Sequence, residues 1–76
     1  MEGRIVVDPE VMGGKPVVAG TRITVEEILR RLAAGESPEA ILEAYPHLTP
    51  EGLRAALRYA AEALSGERIY PYPEKV

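Results

Sequence analysis

The chain has no cysteine and a single histidine, His47. No disulfide can staple it, and one imidazole without a thiol cannot by itself hold zinc. Asparagine and glutamine are also missing. These are common readers of adenine in the major groove, so any sequence-reading role falls on arginine. A surplus of positive charge is missing too, with 9 basic against 12 acidic residues and a net charge of -3. That argues against a general polyanion binder, which needs a cationic face, and leaves room only for a dimer with a local basic patch. No apolar run approaches the roughly 20 residues of a membrane span, and the first residues do not read as a signal peptide. The expectation is a cytoplasmic protein. A chain of 76 residues forms one domain, and one this small without staples relies on tight helix packing or on oligomerisation.

Against these absences stands one dense segment, Gly13-Gly14-Lys15-Pro16-Val17-Val18-Ala19-Gly20-Thr21-Arg22-Ile23. With Ile5-Val6-Val7 before it, closed by Asp8-Pro9, it reads as a small N-terminal β element. Neither apolar run alternates with polar residues, so both faces of each strand need cover. A short chain has little to spare, and a second subunit or partner is expected to bury Ile5, Val7, Val17 and Val18.

Three helices follow. Thr24 with Glu27 forms a capping box, and Val25, Ile28, Leu29, Leu32 and Ala33 make one apolar stripe that Gly35 ends. Ser37, Pro38 and Glu39 start the second helix, with Ile41, Leu42 and Tyr45 on its apolar side, and Pro46 stops it. Thr49, Pro50 and Glu51 start the third, where Leu53, Ala56, Leu57, Ala60, Ala61 and Leu64 form the stripe and Gly66 is the expected C-terminal cap. The short turn Tyr45-Pro46-His47-Leu48 suits a helix-turn-helix, homeodomain-like core; a plain three-helix bundle is the alternative. Residues 1–66 form the domain, and 67–76 form a tail that two Tyr-Pro pairs keep extended.

No constellation here supports catalysis or a cofactor. Lys15 follows two glycines, but Pro16 and a strand come next, where a phosphate loop needs Ser or Thr opening a helix. His47 has no evident nucleophile or orienting carboxylate. Arg54 and Arg58 share one face of the third helix and, with Thr49, are the candidate DNA contacts. Glu51 and Glu62 flank them, so two surface ion pairs are the competing reading. Arg22 either anchors a partner carboxylate or faces solvent. In the tail, Arg68, Ile69, Tyr70 and Tyr72 have the composition of an interface hot spot, and a tail of this kind contacts a partner, folds back or frays.

Asp8-Pro9, Gly13-Gly14-Lys15-Pro16, Gly20-Thr21-Arg22-Ile23, Val25 with Ile28-Leu29, Gly35 with Ser37-Pro38-Glu39, and Tyr45-Pro46-His47-Leu48-Thr49 together resemble a small prokaryotic family, domain of unknown function 433. The resemblance runs from about Ile5 to Ala61 and leaves the tail outside. It implies a helix-turn-helix domain with a short N-terminal β element, and an antitoxin of a type II toxin-antitoxin pair whose partner is a PIN-like ribonuclease. It assigns no catalytic residue. The resulting expectation is a non-enzymatic, dimeric antitoxin that blocks the nuclease, with Arg68, Ile69, Tyr70 and Tyr72 as toxin contacts, and that binds operator DNA. The alternatives are a stand-alone DNA-binding regulator and a structural dimerisation module.

Overall fold

The computed structural model of the protein describes residues 4–65. It is mainly helical, with three helices behind a two-stranded antiparallel β element. β1 (Ile5–Val6) pairs with β2 (Val17–Val18) in the register Ile5 to Val18 and Val6 to Val17. α1 spans Val25–Ala33, α2 spans Pro38–Ala44 and α3 spans Pro50–Ser65.

The glycine-rich segment has two backbone tasks. Met12, Gly13 and Gly14 all take left-handed φ, at 51°, 68° and 86°, in a single 3-10 turn that returns the chain toward β1. Two of these positions suit glycine, whereas Met12 bears the Cβ penalty of that region. The second task is the turn after β2, where Gly20 sits at φ 80°. Thr21 locks it: its hydroxyl donates to the Val18 carbonyl at 2.7 Å and accepts from the Ile23 N–H at 3.0 Å. The Val18 N–H donates to the Ile23 carbonyl at 3.0 Å, and the Val25 N–H to the Pro16 carbonyl at 2.9 Å. The start of α1 therefore hangs directly from the strand segment.

Each helix begins on a side-chain cap that satisfies an otherwise orphaned N–H. Thr24 accepts from Glu27, Ser37 from Ala40 and Thr49 from Gly52, at 3.0, 3.1 and 3.0 Å. The expected capping box at Thr24 is only half formed, because the Glu27 carboxylate turns to Arg31 and Tyr45. α1 ends in a Schellman motif: Gly35, at φ 98°, donates to Leu32 O, and Glu36 donates to Arg31 O, both at 3.0 Å. Tyr45 leaves helical geometry at φ -123°, ψ 88°, as a residue before proline should. Gly66, the expected cap of α3, lies outside the described residues.

Val18, Val25, Ile28, Ile41, Leu48, Leu53 and Ala56 form the core, with Ile28 and Ile41 fully buried. Burial of each such valine, leucine or isoleucine contributes about 1.5–3 kcal/mol, and this cluster joins all three helices to β2. The strands correct one expectation. Val17 and Val18, expected to need a second subunit, are each only 3% exposed within the single chain. Val17 pairs with Val6 and bridges to Thr24, while α3 packs on both strands and covers Val18, which joins the core. Gly52 makes this possible, since a Cβ there would lie 2.9 Å from Val18 Cγ1 and 3.2 Å from Leu48 Cδ1. Ile5 is half-buried against the same core, and Val7, just past β1, is exposed.

Candidate functional site

The turn Met12–Gly14, the segment Arg22–Thr24, the first half of α1 and Tyr45 surround an open cleft of about 350 Å³. Both glycine-bearing segments that make the sequence distinctive meet here, one supplying Lys15 and the other Arg22. Lys15 Nζ lies 3.0 Å from Glu26 Oε1, and Arg30 pairs with the other oxygen of the same carboxylate. Hydrogen bonds from Lys15 and then Arg30 hold Glu26 below the usual carboxylate range. Glu27 is occupied by Arg31 at 3.0 Å and by the Tyr45 hydroxyl, which donates to it at 3.1 Å. Lys15, Arg22 and Arg30 thus face two carboxylates that already have partners. Arg22 is exposed and has no ion pair among the described residues. Met12, exposed and held in its left-handed conformation, stands at the rim.

Behind the cleft, Arg31 binds α1 to α2. It donates to Glu36 at 3.1 Å, to the Tyr45 hydroxyl at 3.0 Å and to Glu27 at 3.0 Å, and its guanidinium lies 5.0 Å from the Tyr45 ring centroid. Glu36, Tyr45 and Glu27, in that order, raise its already high pKa, so it stays charged at every accessible pH. This network orients Tyr45, one wall of the cleft. Tyr45 packs against the core, as its place on the apolar side of the second helix predicts, but that reading did not foresee the network at its hydroxyl. The available signal was the Glu27–Arg31 spacing of four and a second acid, Glu36, just past the helix.

The other predicted residues are dispersed. Arg54 and Arg58 are exposed on α3, with Arg54 loosely placed 4.0 Å from Glu51. Arg58 and Glu62 line a shallow hollow with Arg4, Ile5 and Tyr59. The exposed face of α3 therefore carries two arginines and two glutamates. Thr49 caps α3, and its hydroxyl oxygen is engaged there rather than projecting from the face. Arg68, Ile69, Tyr70 and Tyr72 lie outside the described residues. His47 is exposed. Among the described residues no three metal-ligating side chains converge, and no helix is long and apolar enough to cross a membrane.

A second surface was not anticipated. Leu29 and Ala33 of α1 and Tyr59, Ala60, Ala63 and Leu64 of α3 wall an apolar groove of about 520 Å³, with Glu26 and Arg30 on its rim. Leu64 is 63% exposed. The stripes read from both helices are genuine apolar stripes, but each outlasts the core it was expected to fill.

Comparison with known proteins agrees with this architecture. A solved DUF433 member protein from Anabaena variabilis superposes with a TM-score of 0.76 at 33% identity, over 80% of this chain and 60% of that one. The uncharacterized protein y4eO of Sinorhizobium fredii is 48% identical over 61 residues, which make up 79% of this chain. The match spans only 28% of that curated relative's length. Residues 5–60 match the sequence pattern of the protein family of unknown function DUF433, and the chain belongs to that family.

Proposed function

We propose that this chain is a non-enzymatic partner-binding protein, the antitoxin of a type II pair, and that it restrains a PIN-like ribonuclease. The observation that carries this reading is the Arg22 cleft. An exposed guanidinium without an ion pair among the described residues stands in a concave site beside an exposed methionine, while the neighbouring carboxylates already have cationic partners. Such a site suits a carboxylate on another protein, because a planar guanidinium binds it through two parallel hydrogen bonds. A metal-dependent nuclease carries clustered carboxylates, which Arg68 and the tyrosines of the tail would meet in its cleft. Operator binding by a homodimer belongs to the same proposal, with Arg54 and Arg58 as the contacts; Glu51 and Glu62 on that face weigh against it.

The test is co-expression with the product of the adjacent reading frame, with mass measured in solution and nuclease activity assayed before and after mixing. A defined complex that silences the nuclease is expected. Loss of one charge-assisted contact weakens binding by about tenfold or more, so Arg22→Ala should raise the dissociation constant by that factor, and deletion of residues 67–76 should also weaken inhibition. A homodimer that ignores the neighbouring product overturns the proposal. The choice then lies between a DNA-binding regulator and a structural dimerisation module, and an operator screen with salt dependence separates them.

A further inference from the structure

We infer that Met12 is the apolar anchor of the Arg22 cleft, and that the cleft takes a short segment of a partner protein in which a single carboxylate side chain stands beside an apolar one. This rests on reading the cleft as a partner-binding site, and not on the partner being a nuclease. The first observation is in the backbone. Met12 holds φ at 51° beside Gly13 and Gly14, in the left-handed region where a Cβ is penalised and glycine is not. The turn fixes it there from both sides. Before it, the Glu10 N–H donates to the Asp8 carboxylate and the Val11 N–H to the Asp8 carbonyl, both at 2.9 Å. After it, the Gly14 N–H donates to the Val11 carbonyl at 3.0 Å and the Lys15 N–H to the Met12 carbonyl at 3.3 Å. Strain of this kind persists where the surroundings impose it, and it gathers at binding sites. Packing does not offset it, since the Met12 side chain is 42% exposed and lies outside the core cluster. It lines the cleft instead, where an adaptable thioether suits an apolar group of a partner.

The second observation is the charge of the cleft. Lys15 and Arg30 are both held by Glu26, and Glu27 is held by Arg31 and Tyr45. Of the cations that line the cleft, Arg22 alone has no ion pair among the described residues. One uncommitted guanidinium matches one carboxylate. A second acid on the same segment would approach Glu26 and Glu27, where like charges repel. The third observation is the state of the backbone donors. A chain-terminal carboxylate or a phosphate is captured by successive free N–H groups. Here the N–H groups of Gly14, Lys15, Ile23 and Glu27 already donate to Val11 O, Met12 O, Thr21 Oγ1 and Thr24 Oγ1. Side chains are the donors left to a ligand, which suits a side-chain carboxylate on a passing segment. At about 350 Å³ the cleft is at the small end of binding pockets and admits a few side chains rather than a folded element. Met12, Ile23 and Tyr45 supply its apolar walls.

The experiment titrates the full chain with a capped peptide that carries Leu-Glu-Leu in a Ser-Gly context, followed by the NMR shifts of the Met12 methyl and the Arg22 Nε–H. Saturating shifts at both groups are expected. Glutamine in place of the peptide's glutamate, or Arg22→Ala in the protein, should weaken binding about tenfold. Serine in place of both leucines, or Met12→Gly, should weaken it about fivefold to tenfold. Met12→Leu keeps an apolar side chain and should bind as the native chain does, and a Glu-Glu-Glu peptide should bind more weakly than Leu-Glu-Leu. Thermal unfolding supplies a readout that a merely structural Met12 would move the other way. Met12→Gly relieves the left-handed penalty and should raise the midpoint by about 4 °C, so stability rises as binding falls. Unchanged binding by Met12→Gly overturns the inference, and if Arg22→Ala still weakens binding, the reading of the cleft survives it. A lowered midpoint in Met12→Gly overturns it as well, by making Met12 a structural residue. So does a Leu-Glu-Leu peptide that fails to bind or binds less tightly than Glu-Glu-Glu. None of these readouts involves a nuclease, so the co-expression test judges the antitoxin proposal separately.

Discussion

The two halves of α3 share one apolar stripe and meet opposite fates. From Pro50 to Ala56 the helix buries Gly52, Leu53, Ala55 and Ala56 beneath the β element and the other helices. From Leu57 onward every residue but Ala60 is exposed, including Leu57, Tyr59 and Leu64. Composition does not explain the difference, since both halves are rich in leucine and alanine. What differs is supply. The first half faces β2, Leu48 and α2, whereas the second half has α1 along one side and only Arg4 and Ile5 along another, and open hollows remain on both sides. A stripe therefore records which face of a helix is apolar, and the rest of the chain decides how far along that face a core can reach.

The sharpest way to break this contrast is a matched pair of truncations. Leu53→Ala is expected to lose about 2–4 kcal/mol, a cavity-forming change in a closed site. Leu64→Ala, the same change eleven residues later, is expected to stay within about 0.5 kcal/mol in the chain without its tail. Urea unfolding of both variants measures the difference, and equal losses would mean that the second half is packed as firmly as the first.

A smaller effect is expected at Gly52. Alanine improves helix propensity by about 1 kcal/mol, but here it drives a Cβ into Val18, whose branched side chain is buried. Overpacking of this kind costs about 1–3 kcal/mol, so Gly52→Ala is expected to be neutral to destabilising by about 2 kcal/mol. A gain in thermal midpoint would show that α3 can slide off the strand.

The smallest effect belongs to the ionic rim. Glu26 has a lowered pKa in the folded chain, so its ion pairs favour folding at neutral pH. That contribution is lost as pH falls through the lowered folded value, and it is gone once the carboxyl is protonated in both states. Glu26→Gln should therefore narrow the difference in thermal midpoint between neutral and acid pH. An identical pH profile in both proteins would show that Lys15 and Arg30 contribute nothing measurable through it.

Local chemistry was legible in the sequence wherever the cause was local. Thr24, Ser37 and Thr49 cap their helices, Gly35 closes α1 and Pro46 ends α2, because each acts within four residues of itself. The family resemblance was legible for the same reason, carried by turn residues at fixed positions. What depended on distant partners was not. Val17 and Val18 read as a strand in need of a second subunit or partner because nothing nearby announces that α3 packs on β2, and Gly52 is an ordinary helix residue until that contact with Val18 is known. Arg31 and Tyr45 lie fourteen positions apart on different helices, and only the α1–α2 turn brings them together. In the candidate site, Arg22 was found with its two readings open, while the cleft around it needed the fold.

β1 rests on α3, and about fifty residues separate Ile5 from Ala55, both of which line one hollow. The helices and their caps are assembled from neighbours, whereas this contact closes about two thirds of the 76-residue chain. Long closures of this kind come late and set the pace of folding. During synthesis the first strand leaves the ribosome long before the helix that will cover it exists. Its apolar residues must wait for α3 to be made before that helix can cover them.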